Sequence, residues 1–184
     1  MNPTHFTNIS AVGESPAEII SRLMSALHGI AAKHKLKYAV AFPDIETGRN
    51  ARAGNIVQVF SDQKTLNTIT TEVEKNKNLK VNLHIRSAEE VPDQVDSWTQ
   101  YRLFRIPNRN TRTQTTRENR IKKGQGLPYI QLASRTNGHS FSMRIQPVKT
   151  DTASDNCEPN SYGLAVTSRL FSLPNVGFAT KQVA

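Results

Sequence analysis

The apolar residues of this chain recur at two alternating periods. Ile20, Leu23, Met24, Leu27, Ile30 and Ala31 have the three-and-four spacing of one helical face. Ser15-Pro16-Ala17-Glu18 ahead of them holds the residues of a helix start: a hydroxyl for the N-cap, proline at the first helical position, and glutamate three residues after the cap. The spacing predicts a helix from Pro16 to about Lys35. Around it the pattern shortens to strand-like runs: residues 4–10 (THFTNIS), Lys37–Phe42 (KYAVAF), Ile56–Ser61 (IVQVFS) and Leu79–Arg86 (LKVNLHIR). In the last run Val81, Leu83 and Ile85 alternate and are expected to face inward. Asp62–Lys75 carries Leu66, Ile69 and Val73 on one side and predicts a second helix. The order β-α-β-β-α-β is that of the ferredoxin-like fold.

An acidic stretch, AEEVPDQVDS after Ser87, divides the chain into expected domains 1–92 and 93–184. In the second domain Trp98–Ile106, Leu127–Ala133, Ser140–Gln146 and Ser161–Val166 read as strands. Asn137-Gly138 supplies the turn signal of a hairpin over 127–146. The class expected is α+β.

Composition narrows the functional classes. With 184 residues, 36% of them apolar, the chain is long enough for a packed core, and no run approaches the ~18 apolar residues of a membrane span. The first residues, MNPTHFTNIS, lack the layout of a signal peptide. Cys157 is the sole cysteine, so no intramolecular disulfide forms and a reducing compartment, the cytoplasm, is expected. Five histidines and one cysteine show no zinc-ligand spacing, and no glycine-rich phosphate loop occurs. Chemistry here is expected to run without a metal or an organic cofactor.

The charge is concentrated in one place. Between Tyr101 and Gly126, Arg102, Arg105, Arg109, Arg112, Arg117, Arg120, Lys122 and Lys123 stand against Glu118 alone, so +7 of the chain's formal +9 lies there. Such a run also occurs as a solvated loop with no dedicated partner. Two features favour nucleic acid. Arginine predominates, and its planar fork matches phosphate oxygens and guanine edges. Strand-like runs flank the segment, so a folded body holds both its ends. Pro107 and the interspersed Thr and Asn residues limit the expected helix to about Thr113–Lys123.

His28 lies at the margin of the first helix's apolar face. A lone histidine there reads first as a partly buried, locally bonded residue. Beside a massed cationic segment and the hydroxyls of the turn at Ser134, it also fits attack by a ribose 2′-hydroxyl on the neighbouring phosphate. Imidazole takes the proton, and cations stabilise charge on the phosphoryl oxygens.

Four stretches carry a family resemblance: LMSALHGIA around His28, YAVAFPDIE after the first helix, LPYIQLASRTNGHSFSMRI, and SYGL near the C-terminus. In this order they resemble the CRISPR-associated endoribonucleases of type I-F systems, which cut repeat-containing precursor transcripts into guide RNAs. The resemblance covers nearly the whole chain. It implies a ferredoxin-like domain followed by a modified relative of the same fold with an arginine-rich helix. It also implies a repeat-RNA hairpin as substrate and the other subunits of the surveillance complex as partners.

By the same resemblance His28 is the general base, Ser134 constrains the ribose and Tyr162 orients the histidine. Phe141 stacks on a base beside the cut, and Arg135, Thr136 and Asn137 in the Ser134 turn are candidate RNA contacts. Arg102 and Arg105 lie near where relatives read base edges. A non-catalytic RNA-binding subunit of such a complex is the alternative.

Overall fold

The computed structural model describes residues 1–106, 114–133, 138–154 and 156–177. Strands β1 (His5–Ala11), β2 (Ala39–Ala41), β3 (Ile56–Ser61) and β4 (Leu83–Ile85) form an antiparallel sheet in the order β2-β3-β1-β4, and the short β5 (Glu89–Glu90) also pairs with β1. Helices α1 (Pro16–His34) and α2 (Gln63–Lys75) pack on this sheet and on each other. This is the expected ferredoxin-like order.

The helix starts differ in how they are capped. Asp62 accepts from the Thr65 N–H at 2.8 Å, a side-chain cap for α2. Ser15 occupies the N-cap of α1 with Pro16 behind it, but its side chain makes no capping bond. The Ser15 carbonyl accepts from Glu18 and Ile19 instead, and the Glu18 carboxylate pairs with Arg22 one turn on. The capping box expected at 15–18 therefore does not form.

The strand expected over Leu79–Arg86 is cut short. A single helical turn, α3 (Lys77–Lys80), takes its first residues because the Asn76 side chain accepts from the Leu79 N–H at 3.3 Å. Val81, expected inside, is 75% exposed, and the strand begins only at Leu83.

The second half repeats the arrangement. Strands β6 (Trp98–Phe104), β7 (Tyr129–Ala133), β8 (Ser140–Thr150) and β9 (Leu173–Pro174) form an antiparallel sheet ordered β7-β8-β6-β9, and α4 (Gln114–Gly124) connects the first two. Second, third, first, fourth is the order of the first sheet as well. Between β8 and β9, where the first half has α2, the described residues form turns and isolated bridges. Ser161–Val166, expected as a strand, is one of these. Residues 161–163 turn, and Ala165 and Val166 make only single bridges, to Arg102 and Arg169.

Pro147 sits inside β8 without losing a ladder bond. The Ile145 N–H points toward β7, where it donates to the Pro128 carbonyl at 2.9 Å. Pro147, two residues on, faces the same side beyond the start of β7.

One buried cluster joins the two sheets. Phe42 meets Tyr101 edge to face at 5.9 Å, and Leu27, Ile130 and Ile145 belong to the same cluster. Helix α1 packs along β7, so the first helix is shared by both halves. Among the described residues no helix is long and apolar enough to cross a membrane.

Candidate active site

Leu23, Met24 and Leu27 are fully buried and fix the rotation of α1 about its axis. His28, one position past Leu27, consequently emerges half-buried at the edge of the helix. Its Nδ1 lies 2.9 Å from the Ser161 carbonyl oxygen. A carbonyl oxygen can only accept, so Nδ1 carries a hydrogen and donates it. In the neutral ring the lone pair is then on Nε2, the nitrogen left to act as a base.

Two aromatic rings complete this corner. Tyr162 stacks on the imidazole with centroids 4.4 Å apart and planes 15° from parallel. Phe141 meets Tyr162 edge to face at 6.3 Å. Burial holds the Tyr162 phenol above the ordinary tyrosine range, so the ring against the imidazole stays neutral.

The loop bearing Ser161 and Tyr162 is itself tied down. The Asn160 side-chain oxygen accepts from the N–H groups of Tyr162 at 2.8 Å and Leu164 at 3.1 Å. Gly163 donates to the Asn160 carbonyl, and its own carbonyl accepts from Val40 of β2, both at 2.9 Å. Gly163 has φ +79°, and a Cβ there would come within 3.0 Å of the Tyr38 ring and 3.1 Å of the Val40 amide nitrogen. Only glycine suits that conformation and that approach.

A cleft of about 970 Å³ opens beside these rings. Its place follows from strand register. β6 ends at Phe104, opposite Arg144, while β8 begins at Ser140, so residues 140–143 extend past the end of β6. Arg105, Arg117, Arg120 and Arg144 line the cleft together with Phe141, Ser161 and Tyr162, and among the described residues no acidic side chain lines it. Arg120 lies over the Phe104 ring at 4.6 Å and Arg144 over the Tyr129 ring at 5.6 Å. Arg144 also donates to the Gly124 carbonyl at 3.2 Å, which ties β8 to the C-terminal end of α4.

His28, Phe141 and Tyr162 are thus gathered into one corner, and Arg105, Arg117 and Arg120 face the cleft beside it. Arg102 is held elsewhere, its guanidinium against the Gln100 side-chain oxygen at 2.5 and 2.8 Å. Lys122 and Lys123 are exposed on the last turn of α4 and do not line the cleft. Ser134, Arg135, Thr136, Asn137, Arg109 and Arg112 lie outside the described residues. Arg144 was missed from sequence, although strand alternation marks it. Met143 and Ile145 are buried, so the residue between them must face the other way.

Compared with known protein families, the chain matches the one described as CRISPR-associated protein (Cas_Csy4) over residues 8–174. The chain belongs to the Cas_Csy4 family. No curated protein matches it. The matched span includes His28, all of both sheets except the first three residues of β1, α4 and the Tyr162 loop. Cas_Csy4 proteins are CRISPR-associated endoribonucleases that act on repeat RNA, which places this chain in CRISPR-associated RNA processing. For a Cas_Csy4 chain built in this way, Gly163→Ala is expected to lower single-turnover cleavage at least about tenfold, because an alanine there must displace the Tyr162 loop. Wild-type rates for the folded variant would show that the loop tolerates the shift.

Proposed function

We propose that this protein is a metal-independent endoribonuclease that cleaves at the 3′ base of a CRISPR repeat hairpin. His28 Nε2 removes the proton from the ribose 2′-hydroxyl, whose oxygen attacks the adjacent phosphorus. The bond from phosphorus to the 5′-oxygen breaks, that oxygen takes up a proton, and the ends are a 2′,3′-cyclic phosphate and a 5′-hydroxyl. The nucleophile belongs to the substrate, so the step needs a base and cationic stabilisation rather than a metal-bound water.

The observation that carries this reading is the bond from His28 Nδ1–H to the Ser161 carbonyl. It leaves Nε2 as the basic nitrogen, and the two residues that His28 bonds to and stacks on, Ser161 and Tyr162, themselves line the arginine-bearing cleft. Tyr162 holds the imidazole by stacking, Phe141 offers a face to a base beside the cut, and Ser134 constrains the ribose. Arg105, Arg117, Arg120 and Arg144 grip the phosphates of the stem. The enzyme keeps its upstream product and joins the type I-F surveillance complex as the guide-RNA-bound subunit.

Purified protein incubated with repeat RNA in EDTA tests this. Full cleavage with a cyclic phosphate and a 5′-hydroxyl is expected. Loss of cleavage on chelation, or a product with a free 3′-hydroxyl, contradicts the mechanism.

A further inference from the structure

Ser161 gives the site one carbonyl oxygen, and two donors share it. His28 Nδ1–H approaches at 2.9 Å and the Tyr38 hydroxyl at 3.3 Å. A carbonyl oxygen has two lone pairs and can accept both. Tyr38 stands immediately before β2 and is 2% exposed. Burial, and secondarily the neighbouring Tyr162, push its phenol well above the ordinary tyrosine range, so it remains a donor at every working pH.

The peptide of this carbonyl is gripped at both ends: the Tyr162 N–H donates to the Asn160 side-chain oxygen at 2.8 Å, and the Tyr38 hydroxyl holds the oxygen. A recess of about 190 Å³, lined by His28, Tyr38, Asn160 and Ser161 among others, lies beside it. Were the peptide to turn, His28 Nδ1 would lose this acceptor, and with it the bond that keeps the hydrogen off Nε2.

We propose that Tyr38 is a positioning residue for RNA cleavage: its hydroxyl fixes the Ser161 carbonyl, which keeps His28 protonated on Nδ1 with Nε2 as the base. This rests on the proposed role of His28 and adds to it by naming what enforces the tautomer. The hold reaches the site from β2 and the residue before it at two adjoining points, Tyr38 to Ser161 and Val40 to Gly163, with the Asn160 side chain bracing the loop between them.

Simple core packing would require the Tyr38 ring alone, so removing only the oxygen separates the two roles. Tyr38→Phe is expected to lower single-turnover kcat about three- to tenfold, the scale of one hydrogen bond, with KM and hairpin affinity unchanged. Nitrogen NMR of the His28 imidazole, recorded on the full chain, is expected to show Nδ1–H in the wild type and a rise of the Nε2–H form in Tyr38→Phe. Asn160→Ala is expected to move both readouts in the same direction, and Asn160→Asp, which keeps an acceptor oxygen, to restore them in part.

An unchanged kcat and tautomer in Tyr38→Phe would reduce Tyr38 to packing and overturn the proposal. So would a raised KM at unchanged kcat, which would place the residue in RNA binding. A wild-type protein that fails to cleave at all would sink the catalytic reading instead, and the imidazole spectra would still decide whether Tyr38 holds the tautomer.

Discussion

His28→Ala is expected to slow single-turnover cleavage by roughly 10²–10⁴, the usual contribution of a positioned general base, while hairpin affinity stays within about threefold, well under one charged hydrogen bond. The two effects separate because the side chain does little to hold the RNA surface together. Removing it deletes the bond to Ser161 and the stack on Tyr162. The loop remains held by Val40 and Asn160, and the arginines stand on other elements. Rate and affinity falling together would make His28 a structural residue. Affinity falling alone would make the cleft, rather than the imidazole, the reason for its position.

The triple variant Arg105→Ala, Arg117→Ala, Arg120→Ala is expected to weaken hairpin binding by about 10²–10³, from three charge-assisted contacts at partial strength. The salt dependence is the sharper readout. Each lost phosphate contact removes about one unit from the slope of log affinity against log salt. A drop of roughly two to three units is therefore expected for the triple variant. Cleavage of pre-bound RNA should fall far less than binding does. An unchanged slope would show that these side chains never reach the backbone. Arg120 also lies over the Phe104 ring, so Arg120→Lys, which keeps the charge and loses the planar stack, separates those two contributions.

Much of this architecture can be read from local sequence. The period of Ile20, Leu23, Met24 and Leu27 gives α1, the β-branched run of Ile56–Ser61 gives β3, and Asp62 marks the start of α2. The failures share a physical cause, because a side chain or backbone angle overrode the apolar pattern. Leu79 and Val81 alternate like strand residues, yet Asn76 caps a helical turn across them and Val81 is left in solvent. Ser161–Val166 is rich in strand formers, but Asn160 folds back on two of its N–H groups and Gly163 takes a positive φ.

The same turn explains how much of the site was legible. His28 and Tyr162 are 134 positions apart, and no periodicity connects them. Family resemblance singled them out, and geometry brings their rings together. The Ser161 carbonyl could not have been anticipated, because backbone oxygens carry no sequence signal. Arg102 and Arg105 look equivalent along the chain. Gln100, two residues before Arg102 on the same strand face, draws one of them away from the cleft.

The most direct test of the central claim replaces a single oxygen of the substrate. Repeat RNA with a 2′-deoxy nucleotide immediately upstream of the cut is expected to bind as the all-ribose hairpin does and to remain intact. Cleavage of that substrate at the same phosphate would contradict attack by the 2′-hydroxyl, and with it the assignment of His28 as the base.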